Sequence, residues 1–246
     1  MSYRLTPEDV RFFHDEGYLG PYVMHSPEEM DQIRPIVEHE IFEAEGPFHV
    51  SRQKSRHLDN RTIYDLCTHP TIMDRIEGIL GPDIVLWQSN FFNKNPDAKE
   101  IPWHQDMNFW SSEIEPGINV SAWLAIDDTD VTNSCVQLMP RSHRKMVPHI
   151  EATPEQAFRE QGDPDHTGID PERVVKMEMR AGQFFLFTER MLHHSAANTS
   201  DRRRLGLAIR ITIPIVRCYK RHHVHLVRGE DRMGFNLYGD APGCIT

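Results

Sequence analysis

The 246-residue chain has no run of eighteen apolar residues, and its opening Met1-Ser2-Tyr3-Arg4 has no apolar core of a secretion signal. A membrane span and export are therefore disfavoured, and a soluble, cytoplasmic protein is expected. The four cysteines, Cys67, Cys135, Cys218 and Cys244, are widely spaced with no Cys-x-x-Cys. That excludes a zinc ribbon or disulfide framework and leaves reduced thiols. Positive charge is in deficit: 27 Lys and Arg face 37 Asp and Glu, a net charge of −10. This argues against nucleic acid as a partner and leans towards a neutral or cationic ligand. There is no Gly-rich phosphate loop, no seryl or cysteinyl nucleophile motif, no repeat and no linker. With 39% apolar residues, the chain is expected to be one domain with a sizeable core.

The N-terminal third reads as helical. Thr6-Pro7-Glu8-Asp9 and Ser26-Pro27-Glu28-Glu29 each place a capping hydroxyl, a proline and acids at a helix start, the second helix running to about Ala44. A third helix is predicted over Thr71 to Leu80, ending at Gly81-Pro82. From Ile84 the pattern becomes short β-branched and aromatic runs: Ile84–Phe92, Val120–Ile126, Cys135–Met139, Val174–Met179, Phe184–Phe187 and Leu205–Ile215. Helices followed by many strands predict a mainly β fold, a double-stranded β-helix or jelly roll, with helices packed on one sheet. The divisions expected are 1–82 (helical layer), 83–216 (jelly-roll core) and 217–246 (a C-terminal lid or surface segment).

Chemistry concentrates in Trp103-His104-Gln105-Asp106 and in Leu192-His193-His194-Ser195, with Arg204 just beyond. In a strand, residues i and i+2 share a face, so His104 and Asp106 can present an imidazole and a carboxylate together, and a histidine from a distant strand completes three. Two histidines and one carboxylate with open positions opposite suit non-haem Fe(II). With 15 histidines and 18 aspartates, about one His-x-Asp arises by chance. His57-Leu58-Asp59 is the rival; it follows the polar run Ser51–Arg56 and reads as an exposed surface pair in a loop or helix start. A jelly roll can bring His104, Asp106, the distal histidine and Arg204 to its open mouth. Adjacent strand residues point oppositely, so only one of His193 and His194 can serve. His222-His223-Val224-His225, among Lys220, Arg221 and Arg228, reads as a basic surface or a lid over the entrance. Gln88, Asn90 and Lys94 lie on the strand before the motif, where they could touch a ligand.

The chain resembles the phytanoyl-CoA dioxygenase family of Fe(II)/2-oxoglutarate oxygenases over nearly its whole length. Leu5–Phe13 with Glu16-Gly17-Tyr18-Leu19 is similar to the family's N-terminal helix and turn, Trp103–Asp106 to its first metal motif, and Gln137–His143 to its Pro-Gly-Ser-His element with Arg141 in place of glycine. His193-x-Ser195-x-x-Asn198-x-Ser200-x-x-x-Arg204 reproduces the spacing from the distal metal histidine to the cosubstrate arginine. The resemblance implies Fe(II) held by His104, Asp106 and His193, with 2-oxoglutarate and dioxygen as cosubstrates. Arg204, a planar bidentate cation, would hold the cosubstrate's far carboxylate. Ser195 would assist, Trp123 would pack beside it, Gln88 is a further candidate contact, and Arg210, on the same face as Arg204, is a further candidate to line the site. Arg202 and Arg203 read as solvated turn charges.

The wording of Trp87–Phe92 and Asn133-Ser134-Cys135 is similar to the branch containing non-haem iron halogenases, but Asp106 occupies the position that is Ala or Gly in those enzymes. Hydroxylation, or ring closure, desaturation or epimerisation, is expected instead. The expected substrate is a small, polar, amine-bearing molecule of natural-product, amino-acid-derivative or amino-phosphonate metabolism. The competing reading is a non-oxidative metal-binding jelly roll, a cupin-like isomerase or sensor, which has no need of Ser195 and Arg204 at cosubstrate spacing.

Overall fold

The computed structural model describes residues 3–45, 52–219 and 222–243. Both proline-led starts form capping boxes: Thr6 opens α1 (Pro7–Glu16) and Ser26 opens α2 (Pro27–Glu38), which continues as a wider turn over His39–Glu43. Asn60 caps α3 (Arg61–Cys67), a helix the sequence pattern does not single out, and α4 covers Pro70–Leu80.

Two antiparallel sheets form the jelly roll. The larger runs in the order β1 (Tyr18–Val23), β10 (Gln183–Thr188), β5 (Val120–Ala125), β12 (Arg204–Thr212), β2 (Ile84–Lys94) and β14 (His225–Arg228). The smaller runs β3 (Ile101–His104), β11 (His193–Ser195), β6 (Gln137–Leu138) and β9 (Val175–Lys176). Two ribbons, β4 (Ile114–Glu115) with β13 (Arg217–Cys218) and β7 (His149–Glu151) with β8 (Glu160–Gly162), flank them.

Strand alternation on β12 sorts core from site. Leu205, Leu207, Ile209 and Ile211 point to one face and join the helices' Met30, Val37, Ile63, Ile72, Met73 and Ile76 in the larger core. Arg204 and Arg210 line the cavity between the sheets, where Ala208 packs with Trp123, Phe185, Phe187 and Leu138. The helical layer thus covers one face of the larger sheet, as expected.

Several strands are shorter than their apolar runs. β12 stops at Thr212, because Pro214 cannot donate to the ladder. The Cys135–Met139 run yields only two strand residues after a turn in which Ser134 has φ 79°. Residues 222–228 are not the basic surface expected: β14 pairs with β2, and Val224 and His225 are buried. Lys220, Arg221 and Cys244 lie outside the described residues.

Candidate metal centre and cosubstrate pocket

His104 ends β3 and His193 begins β11, and the two are direct cross-strand partners with ring centroids 4.1 Å apart. Each imidazole is fixed by its other nitrogen: His104 Nδ1 donates to the Pro102 carbonyl at 2.7 Å and His193 Nδ1 to the Met191 carbonyl at 2.9 Å. A carbonyl can only accept, so both Nε2 atoms keep bare lone pairs when the rings are neutral, as metal-binding histidines require. Burial and the neighbouring His104 hold His193 down at about 3.

Asp106 reaches the pair by a route different from the strand alternation expected. β3 ends at His104, and Asp106 opens a short helix, α5 (Asp106–Trp110). The turn is held by the Gln105 side chain, which donates to the Lys145 and Arg190 carbonyls and accepts from Val147 N at 2.8 Å. Asp106 Oδ1 then lies 3.7 Å from His104 Nε2 and 3.8 Å from His193 Nε2. The three residues are 3%, 6% and 8% exposed in chain order, and among the described residues they form the one cluster of donors close enough to hold an ion. Burial alone would raise the Asp106 carboxyl, but Arg210, His193 and His104 together hold it well below the usual carboxylate range. Neutral imidazoles beside an ionised carboxylate fit Fe(II).

Arg210 Nη1 lies 2.9 Å from Asp106 Oδ2, an ion pair whose angle is too oblique for a hydrogen bond. Arg210 therefore faces the carboxylate. His194 turns from the triad and stacks on Trp103, centroids 4.2 Å apart, although it also lines the inner cavity.

Arg204 is buried in the same inner cavity, with Trp123, Ser195 and Val136. Its guanidinium lies 5.2 Å over the Trp123 ring, Nη2 is 3.5 Å from Ser195 Oγ, and Nε has no hydrogen-bond partner. Burial lowers it to about 10, so it stays charged at neutral pH. A buried cation with an open donor is a receptor for an anion. Trp123 fits only because residue 206 is glycine: a Cβ there would meet its Cζ2 at 2.0 Å. Lys94, cross-strand from Arg204, points Nζ to Ser134 Oγ at 2.8 Å and to Ser195 Oγ at 3.2 Å. Burial, then Arg204, lowers it to about 7.

The inner cavity is a narrow cleft of about 30 Å³. It shares Phe92, Asp106, Phe158 and Arg210 with an outer cavity of about 530 Å³, which Gln88, Lys54, Trp110 and Arg159 also line. Gln88 therefore lines the outer cavity and not the inner one beside Arg204. Phe158, packed edge-on to His104 at 4.9 Å, comes from an irregular segment that no periodicity marks.

Two expectations about charge are corrected. His57 is fully buried, with Nδ1 2.7 Å from Ser89 Oγ, and Asp59 pairs with buried Arg56 at 3.0 Å, so His57-Leu58-Asp59 is not an exposed pair. Arg203 forks onto Asp127 at 2.8 and 2.9 Å and pairs with Glu38, whereas Arg202 remains an exposed turn charge paired with Asp130.

Residues 13–206 match the model of the phytanoyl-CoA dioxygenase (PhyH) family. The chain belongs to this family. The ectoine dioxygenase of Nocardia farcinica is 26% identical over 216 residues, 78% of this chain and 72% of that protein. The Halomonas elongata ectoine dioxygenase is 31% identical over 58% of this chain, and the rat peroxisomal phytanoyl-CoA dioxygenase 26% over 58%. This PhyH chain spans only 47% and 43% of those two proteins. Among solved structures, the non-heme monooxygenase ThoJ superposes with TM-score 0.82 at 24% identity, covering 95% of this chain and 88% of ThoJ. CytC3 with Fe(II) and α-ketoglutarate gives 0.77 at 22%, covering 98% and 96%. These likenesses show the jelly-roll fold. No helix among the described residues is long and apolar enough to cross a membrane.

Proposed function

We propose that this PhyH-family chain is an Fe(II)/2-oxoglutarate-dependent oxygenase that oxidises a C–H bond of a small polar molecule held in the outer cavity. The observation that carries the reading is the pairing, in one cavity, of a buried His-Asp-His donor set with a buried guanidinium whose Nε is unpartnered. His104, Asp106 and His193 would hold the metal. Arg204, with Ser195 beside it, would take the far carboxylate of 2-oxoglutarate, and Trp123 would wall the cosubstrate. With dioxygen, Fe(II) and 2-oxoglutarate supply the oxidising chemistry, the cosubstrate leaving as succinate and carbon dioxide. The chain's own work is to orient these groups and keep water out.

The outer cavity suits a substrate carrying both signs of charge. Lys54 and Arg159 line it together with Glu113 and Glu160, and Phe109, Trp110 and Phe158 supply apolar wall. An amine-bearing acid answers to that lining better than a simple cation. The retained Asp106 carboxylate favours hydroxylation or another oxidative C–H transformation.

Titrating the anaerobic Fe(II) protein with 2-oxoglutarate tests the reading. A weak visible charge-transfer band should grow to one equivalent. Iron binding without that band would instead support a non-oxidative metal-binding jelly roll.

A further inference from the structure

Arg210 is not used by the reading above, yet it is among the most completely buried charges in the molecule. It lies six residues beyond Arg204 on β12, so it faces the same interior, and it lines both cavities. Unlike that of Arg204, its guanidinium already faces a carboxylate. Nη1 donates to Ser121 Oγ at 2.7 Å and lies 2.9 Å from Asp106 Oδ2. Its plane is confined by Trp110 at 4.8 Å and Phe187 at 5.7 Å.

The confinement continues outwards as a closed circuit. Trp110 is held edge-on by Trp87, ring centroids 5.2 Å apart at 90°. Trp87 Nε1 donates to Asn119 Oδ1 at 2.8 Å, and Asn119 Nδ2 donates to Ser121 Oγ at 2.9 Å, which returns the path to Arg210. Trp87, Asn119, Ser121 and Arg210 are all at most 5% exposed, so water does not compete for these bonds.

A fixed cation this close to a metal position opposes metal binding by simple Coulomb repulsion. Its contribution must be geometric. The carboxylate of Asp106 has two oxygens; Oδ1 faces both imidazole Nε2 atoms, while Oδ2 is turned to Arg210. Left free, both oxygens could turn to one ion and occupy a position that an incoming ligand needs. We infer that Arg210 is a positioning residue that reserves Oδ2 of Asp106, so that Asp106 offers the metal one oxygen, with Ser121, Asn119 and Trp87 holding Arg210 in place. Groups around a ligand commonly set its orientation in this way.

This rests on the metal reading, and a cobalt experiment separates the two. Co(II) is added to the metal-free protein, its visible spectrum is recorded, and 2-oxoglutarate is then titrated by the spectral change. The wild-type protein should bind one Co(II). Arg210→Met, which keeps the stem and removes the charge, should still bind Co(II) but with altered absorption intensity and a more than tenfold weaker response to 2-oxoglutarate. Arg210→Lys should restore little, because an ammonium lacks the planar guanidinium that Trp110 and Phe187 flank. Ser121→Ala should shift the spectrum in the same direction by a smaller amount, and it decides the matter if Arg210→Met does not fold. Spectra and titrations unchanged from wild type in Arg210→Met, or in both Ser121→Ala and Arg210→Lys, would overturn the inference while leaving the metal centre intact. Failure of the wild-type protein to bind Co(II) would overturn the metal reading itself and this inference with it.

Discussion

His57 and His104 are both buried histidines standing two residues ahead of an aspartate, and they end in opposite situations. His104 Nδ1 donates to a backbone carbonyl and turns Nε2 towards Asp106 and a second histidine. His57 Nδ1 meets Ser89, its Nε2 has no hydrogen-bond partner while the ring packs edge-to-face with His225, and Asp59 is taken by Arg56. Burial does not distinguish them. What does is whether the aspartate swings back onto the free nitrogen, and that depends on the turn after the histidine: α5 opens at Asp106, whereas the short helical turn Arg56–Leu58 directs Asp59 back to its own first residue.

The sharpest way to break this contrast is to remove each aspartate. Asp106→Ala should abolish 2-oxoglutarate turnover and strip the charged donor from the site, whereas Asp59→Ala should leave turnover and metal content near wild type. Succinate release and metal analysis on the two purified variants decide it. Full turnover in Asp106→Ala at matched metal would sink the assignment. For the histidines, His57→Ala should cost stability, about 2–4 kcal/mol for a buried side chain of this size, measured by denaturant unfolding, while metal binding survives in the folded fraction.

The adjacent pair His193-His194 sharpens the same point at one-residue resolution. His193→Ala should lose stoichiometric iron; His194→Ala should keep it, because that ring is stacked on Trp103. Equal loss in both, with normal circular dichroism, would show that ring orientation does not choose the ligand.

Arg204 and Arg203, also adjacent, differ by what they already hold. Arg203 is engaged by Asp127 and Glu38, while Arg204 keeps an open Nε in the cavity. Removing Arg204 would leave a bound dicarboxylate's far end buried and unpaired, a loss on the order of 2–5 kcal/mol. Arg204→Ala should therefore raise the apparent KM for 2-oxoglutarate well over tenfold with metal content near normal, and Arg202→Ala should shift it by less than about fivefold, an exposed ion pair being worth about 1 kcal/mol or less. A large effect at Arg202 and none at Arg204 would reverse the reading.

These contrasts also show what a sequence can carry. The helix starts were legible because capping boxes are local: Thr6 with Asp9 and Ser26 with Glu29 close within one turn. The face shared by Arg204 and Arg210 was legible because β12 alternates strictly from Leu205 to Ile211. The His-Asp-His set was legible as residue types at a spacing, but not the way Asp106 arrives, since that turn is set by Gln105 reaching residues 40 to 85 positions away. The partner of Arg210, the burial of His57 against His225 and the Phe158 wall depend on tertiary contacts between segments far apart in the chain. No local period records those.

The smallest expected effect contrasts Lys94 with its cross-strand partner Arg204. Both are buried cations, but burial and Arg204 bring Lys94 down to about 7, whereas Arg204 stays near 10. Unfolded, a lysine titrates near 10.4. Between about pH 7 and that value the unfolded chain therefore binds the proton that the folded chain has released, and stability rises with pH through this window. Below pH 7 both states carry the charge and the burial penalty is constant. The ligand-free wild-type protein should thus gain melting temperature relative to Lys94→Met as pH is raised from 7 to about 10, by a few degrees. The difference between the two melting curves isolates Lys94 from other groups that titrate there. A gap independent of pH would mean that the four oxygens around Nζ keep Lys94 charged in the folded chain, making it a second permanent cation beside Arg204.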